Sequence, residues 1–166
     1  MIRIGKIVAT HGLAGDVILT HILNKKNWLK KDDALFLELH KGSFIPFFVT
    51  NVRATQEEEC ILRFEDITSV EAAKKLVGRS VYSEAAILQQ RDADTPLLWV
   101  GYTIVDRKLG TIGVIDDVIQ TAHQWLAQVQ YNGKEVLIPL ITEMLRSAHP
   151  PTKTIQMELP DGLLEL

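Results

Sequence analysis

The opening stretch, residues 2–19, limits the fold more than any other part of the chain. Residues 2–9 form a run rich in Ile and Val, Val17-Ile18-Leu19 forms a second, and Gly12 and Gly15 bracket the residues between them. β-Branched side chains fit a pleated strand, and glycine supplies the positive φ or the close backbone approach that a tight turn requires. The spacing predicts an antiparallel hairpin with Lys6 and His11 near one end of it. Such a start commits the chain to a β domain and, by itself, names no function.

The same grammar continues. Residues 34–39, 44–53, 60–64 and a run opening at Val81-Tyr82 read as strands, separated by turn-rich segments at 41–43 and 55–59. Pro46 removes a ladder donor, so its strand needs an edge or a bulge there. Thr68 or Ser69 caps a short helix over residues 70–77, and Gly78 suits the position after its end. Six strands, short turns and one small helix in residues 1–84 predict a closed antiparallel barrel. Residues 85–96 read as a linker, because Gln89 to Pro96 is polar, lacks a period and ends in proline. Residues 97–166 supply about five further strands, with Asn132-Gly133 as a strong hairpin signal. The fold class is therefore all-β, as two small barrels.

Several function classes drop out. No apolar run approaches the roughly 18 residues of a membrane span, and Arg3 and Lys6 interrupt any signal-like start. Cys60 is the single cysteine, so an internal disulfide is impossible and a cytoplasmic location fits. It lies in a strand-like run and reads as a buried, inert thiol. His11, His21, His40, His123 and His149 show no metal-ligand spacing, and no P-loop, G-x-S-x-G or H-E-x-x-H motif occurs. Gly12-Leu13-Ala14-Gly15 has the G-x-x-G form of an RNA-clamping loop, but that loop needs flanking helices and here strands flank it. The expectation is no catalysis, no metal and no cofactor.

Binding is what remains. Net charge is −3, yet residues 1–91 hold 13 Lys+Arg against 11 Asp+Glu while residues 92–166 hold 5 against 10. A weakly basic front suits RNA and an acidic back suits a basic protein; an ordinary solvated surface fits the same numbers. Lys25, Lys26, Lys30 and Lys31 surround Trp28, which reads either as a stacking surface among phosphate-binding lysines or as a buried loop anchor. Lys6, His11, Arg53 and Arg63 lie on or beside candidate strands and are further RNA-binding candidates, against a purely architectural role. Trp99 and Tyr102 are candidates for a protein contact, against a place in the core.

Three blocks carry a resemblance. Gly5-Lys6-Ile7-Val8-Ala9-Thr10-His11-Gly12-Leu13-Ala14-Gly15-Asp16-Val17 resembles the N-terminal signature of the RimM family of ribosome maturation factors, with Asp16 in place of the more usual Glu. Residues 134–140 resemble that family's C-terminal PRC barrel, and Leu159-Pro160-Asp161-Gly162-Leu163-Leu164-Glu165 its tail. The resemblance implies an N-terminal barrel like the second domain of translation elongation factors, a linker over 85–96 and a PRC barrel over 97–166. It further implies a monomeric, non-catalytic, cytoplasmic assembly factor. Such a factor binds the free small (30S) ribosomal subunit and promotes late maturation of its head and 16S rRNA processing. It does so through the head's ribosomal protein nineteen and nearby rRNA. The family opens its second domain with paired tyrosines followed by His and an acidic residue. Here the segment is Thr95-Pro96-Leu97-Leu98-Trp99-Val100-Gly101-Tyr102, so Trp99 and Tyr102 stand as the aromatic candidates for the ribosomal-protein contact. A protein-interaction PRC module unconnected with ribosomes is the alternative.

Overall fold

The computed structural model describes residues 1–23 and 25–165; Asn24, in the lysine-rich segment, and Leu166, at the end of the second barrel, lie outside the described residues. The chain divides into two compact units, Met1–Asp94 and Thr95–Leu166.

The first unit is a closed barrel of β1 (Ile2–His11), β2 (Asp16–His21), β3 (Ala34–His40), β4 (Ser43–Gln56), β5 (Glu59–Phe64) and β6 (Ser80–Ser83). Its order is β1-β2-β5-β4-β3-β6, and β6 returns to β1 to close the ring. Strict alternation puts Val17, Leu19 and His21 of β2 and Cys60, Leu62 and Phe64 of β5 inside. Ile4, Ile7, Leu35, Leu37, Val49 and Val81, all fully buried, complete the core. Each such side chain stabilises the fold by about 1.5–3 kcal/mol relative to leaving it in water.

β4 is long because it serves two neighbours: its first part, to Phe48, pairs with β3, and Val49 onward pairs with β5. Pro46 falls where the strand has a ladder partner on one side only, so its missing N–H is tolerated. The signature glycines meet tight backbone. A Cβ on Gly15 (φ +104°) would collide with the Ile67 carbonyl, and one on Gly5 would press into the Thr20 carbonyl, 2.9 Å from the His21 Cα.

Two helices decorate this barrel. In α1 (Val70–Lys74) the cap is Ser69, whose Oγ accepts the Ala72 N–H at 3.2 Å, and Gly78 (φ +87°) follows beyond its end. α2 (Ala85–Arg91) lies within the stretch that reads as a linker. It contributes a single fully buried residue, Leu88, too little apolar surface to print a helical period on the sequence.

The second unit opens on a 3₁₀ turn, Pro96–Trp99, capped by the Thr95 hydroxyl. Its sheet holds six strands, one more than the sequence shows: β7 (Thr103–Asp106), β8 (Gly110–Gln120), β9 (Trp125–Tyr131), β10 (Lys134–Pro139), β11 (Leu145–His149) and β12 (Thr154–Met157). The order is β10-β9-β8-β7-β12-β11, antiparallel except for β7 beside β12. β11 escapes a pattern search because residues 146–149 are all exposed; pairing with β12 alone makes it a strand. Asn132 (φ +51°) and Gly133 (φ +76°) form the two-residue turn between β9 and β10. Ile104, Ile115, Ala127, Val129, Ile138 and Ile155 fill the interior. No described helix is long and apolar enough to cross a membrane.

Candidate functional site

The hairpin register places His11 opposite Asp16, and the neighbouring ladders carry that line across the barrel. Val17 pairs with Leu62, which puts Asp16 beside Arg63, and Arg63 pairs with Asn51. Four strands thus present His11, Asp16, Arg63 and Asn51 in one cross-strand row on the outer face. Arg53 sits on the adjoining row opposite Ile61. These side chains line a cleft of about 280 Å³. Within it Arg63 Nε donates to Asp16 Oδ1 at 2.6 Å, an ion pair at the water's edge with side chains 37% and 24% exposed. Arg53 is exposed and makes no ion pair among the described residues.

The structure therefore gathers three of the RNA-binding candidates, His11, Arg53 and Arg63, around two residues that sequence reasoning did not single out. Asp16 was within reach of the hairpin register. Asn51 was not, because its place beside Arg63 depends on how β4 joins β5. Lys6 lies elsewhere: it is exposed in the middle of β1, opposite Thr20 and Ser80, five residues or about 16 Å of strand from His11. The expectation that Lys6 and His11 share one end of the hairpin is corrected accordingly.

Lys25, Lys26, Lys30 and Lys31 form a second group, exposed on the loop between β2 and β3. Trp28 and Leu29 are buried beneath it, so Trp28 is an anchor and offers no stacking face to a base. Its ring meets His21 edge-on at 5.6 Å. The loop is tied to α2 by Arg91, whose two Nη atoms reach the Asp33 carboxylate at 2.9 and 3.0 Å. Arg91 Nη1 also donates to the Trp28 carbonyl at 2.6 Å, and Lys25 Nζ returns a bond to the Arg91 carbonyl at 2.9 Å. Burial drives the neighbouring His21 imidazole down to about 4, against an opposing contribution from the Leu23 backbone. Burial, with some help from the Glu59 charge, pushes the Cys60 thiol up to about 12, so that sulfur is no nucleophile.

In the second unit Trp99 and Tyr102 are both half-buried and sit at the ends of one tight turn, the Tyr102 N–H donating to the Trp99 carbonyl at 2.9 Å. Gly101, at φ +88°, makes that turn and sends its own N–H to the Ile115 carbonyl. At the other end of β7, Asp106 accepts the Lys108 and Leu109 N–H groups, both at 2.9 Å, and the Leu159 N–H at 2.7 Å. Burial alone would raise this carboxyl; those backbone donors, with the Lys108 charge, outweigh it and hold the pKa below the usual value. The tail from Leu159 onward lines a cleft of about 530 Å³ together with Lys108, Tyr131 and Lys134. Among the described residues, no group of three or more His, Cys, Asp or Glu side chains is placed to hold a metal.

Residues 2–88 match the family model of the RimM N-terminal domain, and residues 99–163 match that of the RimM PRC barrel domain. The chain belongs to the RimM family. The ribosome maturation factor RimM of Parabacteroides distasonis is 29% identical over 167 residues, covering 99% of this chain and 95% of that protein. Its counterpart in Christiangramia forsetii is 27% identical over 98% of this chain and 94% of its own. Solved structures of the RimM family are similar too. One is a crystal structure of a 16S ribosomal RNA processing protein RimM from Pseudomonas aeruginosa: 17% identity, TM-score 0.44, 96% of this chain and 97% of that one. Another is the solution structure of the N-terminal domain of RimM from Thermus thermophilus: 21% identity, TM-score 0.42, 52% of this chain and 92% of that one. Of the RimM signature positions, Gly5 and Gly15 act through backbone fit, whereas Lys6, His11 and Leu13 face water, Leu13 with 86% of its surface free.

Proposed function

We propose that this chain is a non-catalytic ribosome assembly factor that binds the free small (30S) ribosomal subunit and promotes late maturation of its head and 16S rRNA processing. The observation that carries the reading is the match to both RimM domain models in order, together with relatives named ribosome maturation factors that align over nearly the whole of both chains. The first unit is assigned to rRNA, through the cleft and the lysine loop. The second is assigned to ribosomal protein nineteen, through Trp99 and Tyr102. Both assignments rest on local surface. With the unit boundary at Asp94, the first unit holds 13 basic and 13 acidic residues and the second 5 and 8. A generally basic front therefore disappears, and local clusters are left to do the attracting. A factor of this kind works by binding the productive state of an assembling particle more tightly than its alternatives.

The test is co-sedimentation of the purified chain with free small subunits, mature small subunits and whole ribosomes across a salt series. Retention on free small subunits alone, weakening as salt rises, is the expected result. Absence from every particle overturns the reading.

A further inference from the structure

We propose that the cross-strand row His11–Asp16–Arg63–Asn51, with Arg53 beside it, is a ribonucleotide-selective site: the arginines hold one backbone phosphate while Asp16 accepts a hydrogen bond from the neighbouring ribose 2′-hydroxyl. This rests on the first unit meeting RNA, as proposed above, and adds the chemistry by which it would tell RNA from DNA.

The mixture of charges is the argument. Adjacent strands lie about 4.8 Å apart, so the row sets a carboxylate on the strand between those that carry the imidazole and the guanidinium, and in hydrogen-bonding contact with the guanidinium. Asp16 Oδ1 is occupied by Arg63 Nε at 2.6 Å. Asp16 Oδ2 and both Arg63 Nη atoms have no hydrogen-bond partner among the described residues, and both side chains reach water. The pair thus holds an open acceptor and open donors side by side, each fixed by the other. A deoxyribose–phosphate backbone offers acceptors only, and the carboxylate would repel it. An RNA backbone offers an O–H donor on the sugar next to each phosphate, which matches an acceptor standing beside an arginine. Arg53 is the uncompensated positive charge, which favours a phosphate over a basic peptide in the same cleft. Ile61, half-buried between Ile18 and Arg53 in the next row, gives the sugar an apolar floor.

The experiment uses the full chain and two labelled single strands of the same sequence, one RNA and one DNA, each of about eight nucleotides, followed by fluorescence anisotropy across a salt series. The native chain is expected to prefer the RNA about tenfold, the weight of one charge-assisted hydrogen bond. Asp16→Asn should bring RNA and DNA affinities to within about twofold of each other. Arg53→Gln should weaken both and lower the slope of log affinity against log salt by about 0.7, one phosphate's worth for a single strand. Thermal unfolding of each variant shows that the barrel persists; Asn51→Ala, which leaves the ion pair intact, gives a second probe of the same row and should weaken binding of the RNA. A preference that survives Asp16→Asn, or a chain that sediments with small subunits yet shows no RNA preference, overturns the site and leaves the assembly role standing. A chain that ignores ribosomal particles but shows the Asp16-dependent preference overturns the assembly role and leaves the site standing.

Discussion

Acid should destabilise the first unit through a single buried ring. His21 closes β2 with 3% of its surface exposed, packed edge-on against Trp28. Neither ring nitrogen has a partner in good hydrogen-bonding geometry among the described residues, the Leu23 backbone being near enough only to oppose part of the effect of burial. Burial lowers its pKa from 6.5 to about 4, so the unfolded chain binds a proton that the barrel refuses. The linkage sign follows: the stabilisation is fully present above pH 6.5 and is lost as pH falls toward 4. At 1.36 kcal/mol per pH unit the full loss is about 3 kcal/mol, and at pH 5 it is already about 2 kcal/mol. His21→Leu, similar in bulk and unable to titrate, removes this contribution and leaves that of the carboxylates. Urea unfolding of both proteins at pH 7.5 and pH 5 isolates the term as a difference of differences. The native chain should lose about 2 kcal/mol more than the variant between the two pH values. At pH 7.5 the variant should be no less stable, because a buried imidazole without a well-formed hydrogen bond has left the interior. Equal pH dependence in the two proteins would refute the claim that His21 is held neutral by burial.

Three further outcomes are expected. Arg91→Ala removes the counter-ion of the Asp33 carboxylate, 10% exposed, leaves it only the Lys30 N–H at 2.8 Å, and frees the Trp28 carbonyl, so it should cost the first unit about 3 kcal/mol; limited proteolysis should then cut the loop between β2 and β3 first. Asp106→Asn removes the charged acceptor of three backbone N–H groups and should lower the second unit's stability by about 2–3 kcal/mol, read from the unfolding transition of that unit. Cys60, 2% exposed and with its thiol pushed up to about 12, should resist a thiol reagent in the native protein at pH 8 and react at once in denaturant.

What the sequence shows and what it hides divide along the range of the interactions involved. The β1–β2 hairpin, the Asn132-Gly133 turn and the cap at Ser69 are encoded within a few residues, and composition and spacing reveal them. α2 and β11 are secondary structure granted by tertiary neighbours. The first is secured by one buried leucine and by Arg91 reaching back 58 residues to Asp33; the second is an exposed strand defined by its pairing with β12. Trp28 could be read two ways because a lysine-rich loop looks alike over a barrel or over a base, and only the packing beneath it decides. The outer row belongs to the hidden class as well. His11 and Asp16 are five residues apart, but Arg63 and Asn51 join them only once β2 has paired with β5 and β5 with β4. A closed barrel allows one register for those ladders, since a one-residue slip would turn Leu62 and Phe64 outward and Arg63 inward. The buried face of β5 therefore sets where Arg63 points, and the same core that stabilises the barrel aligns the polar row outside it.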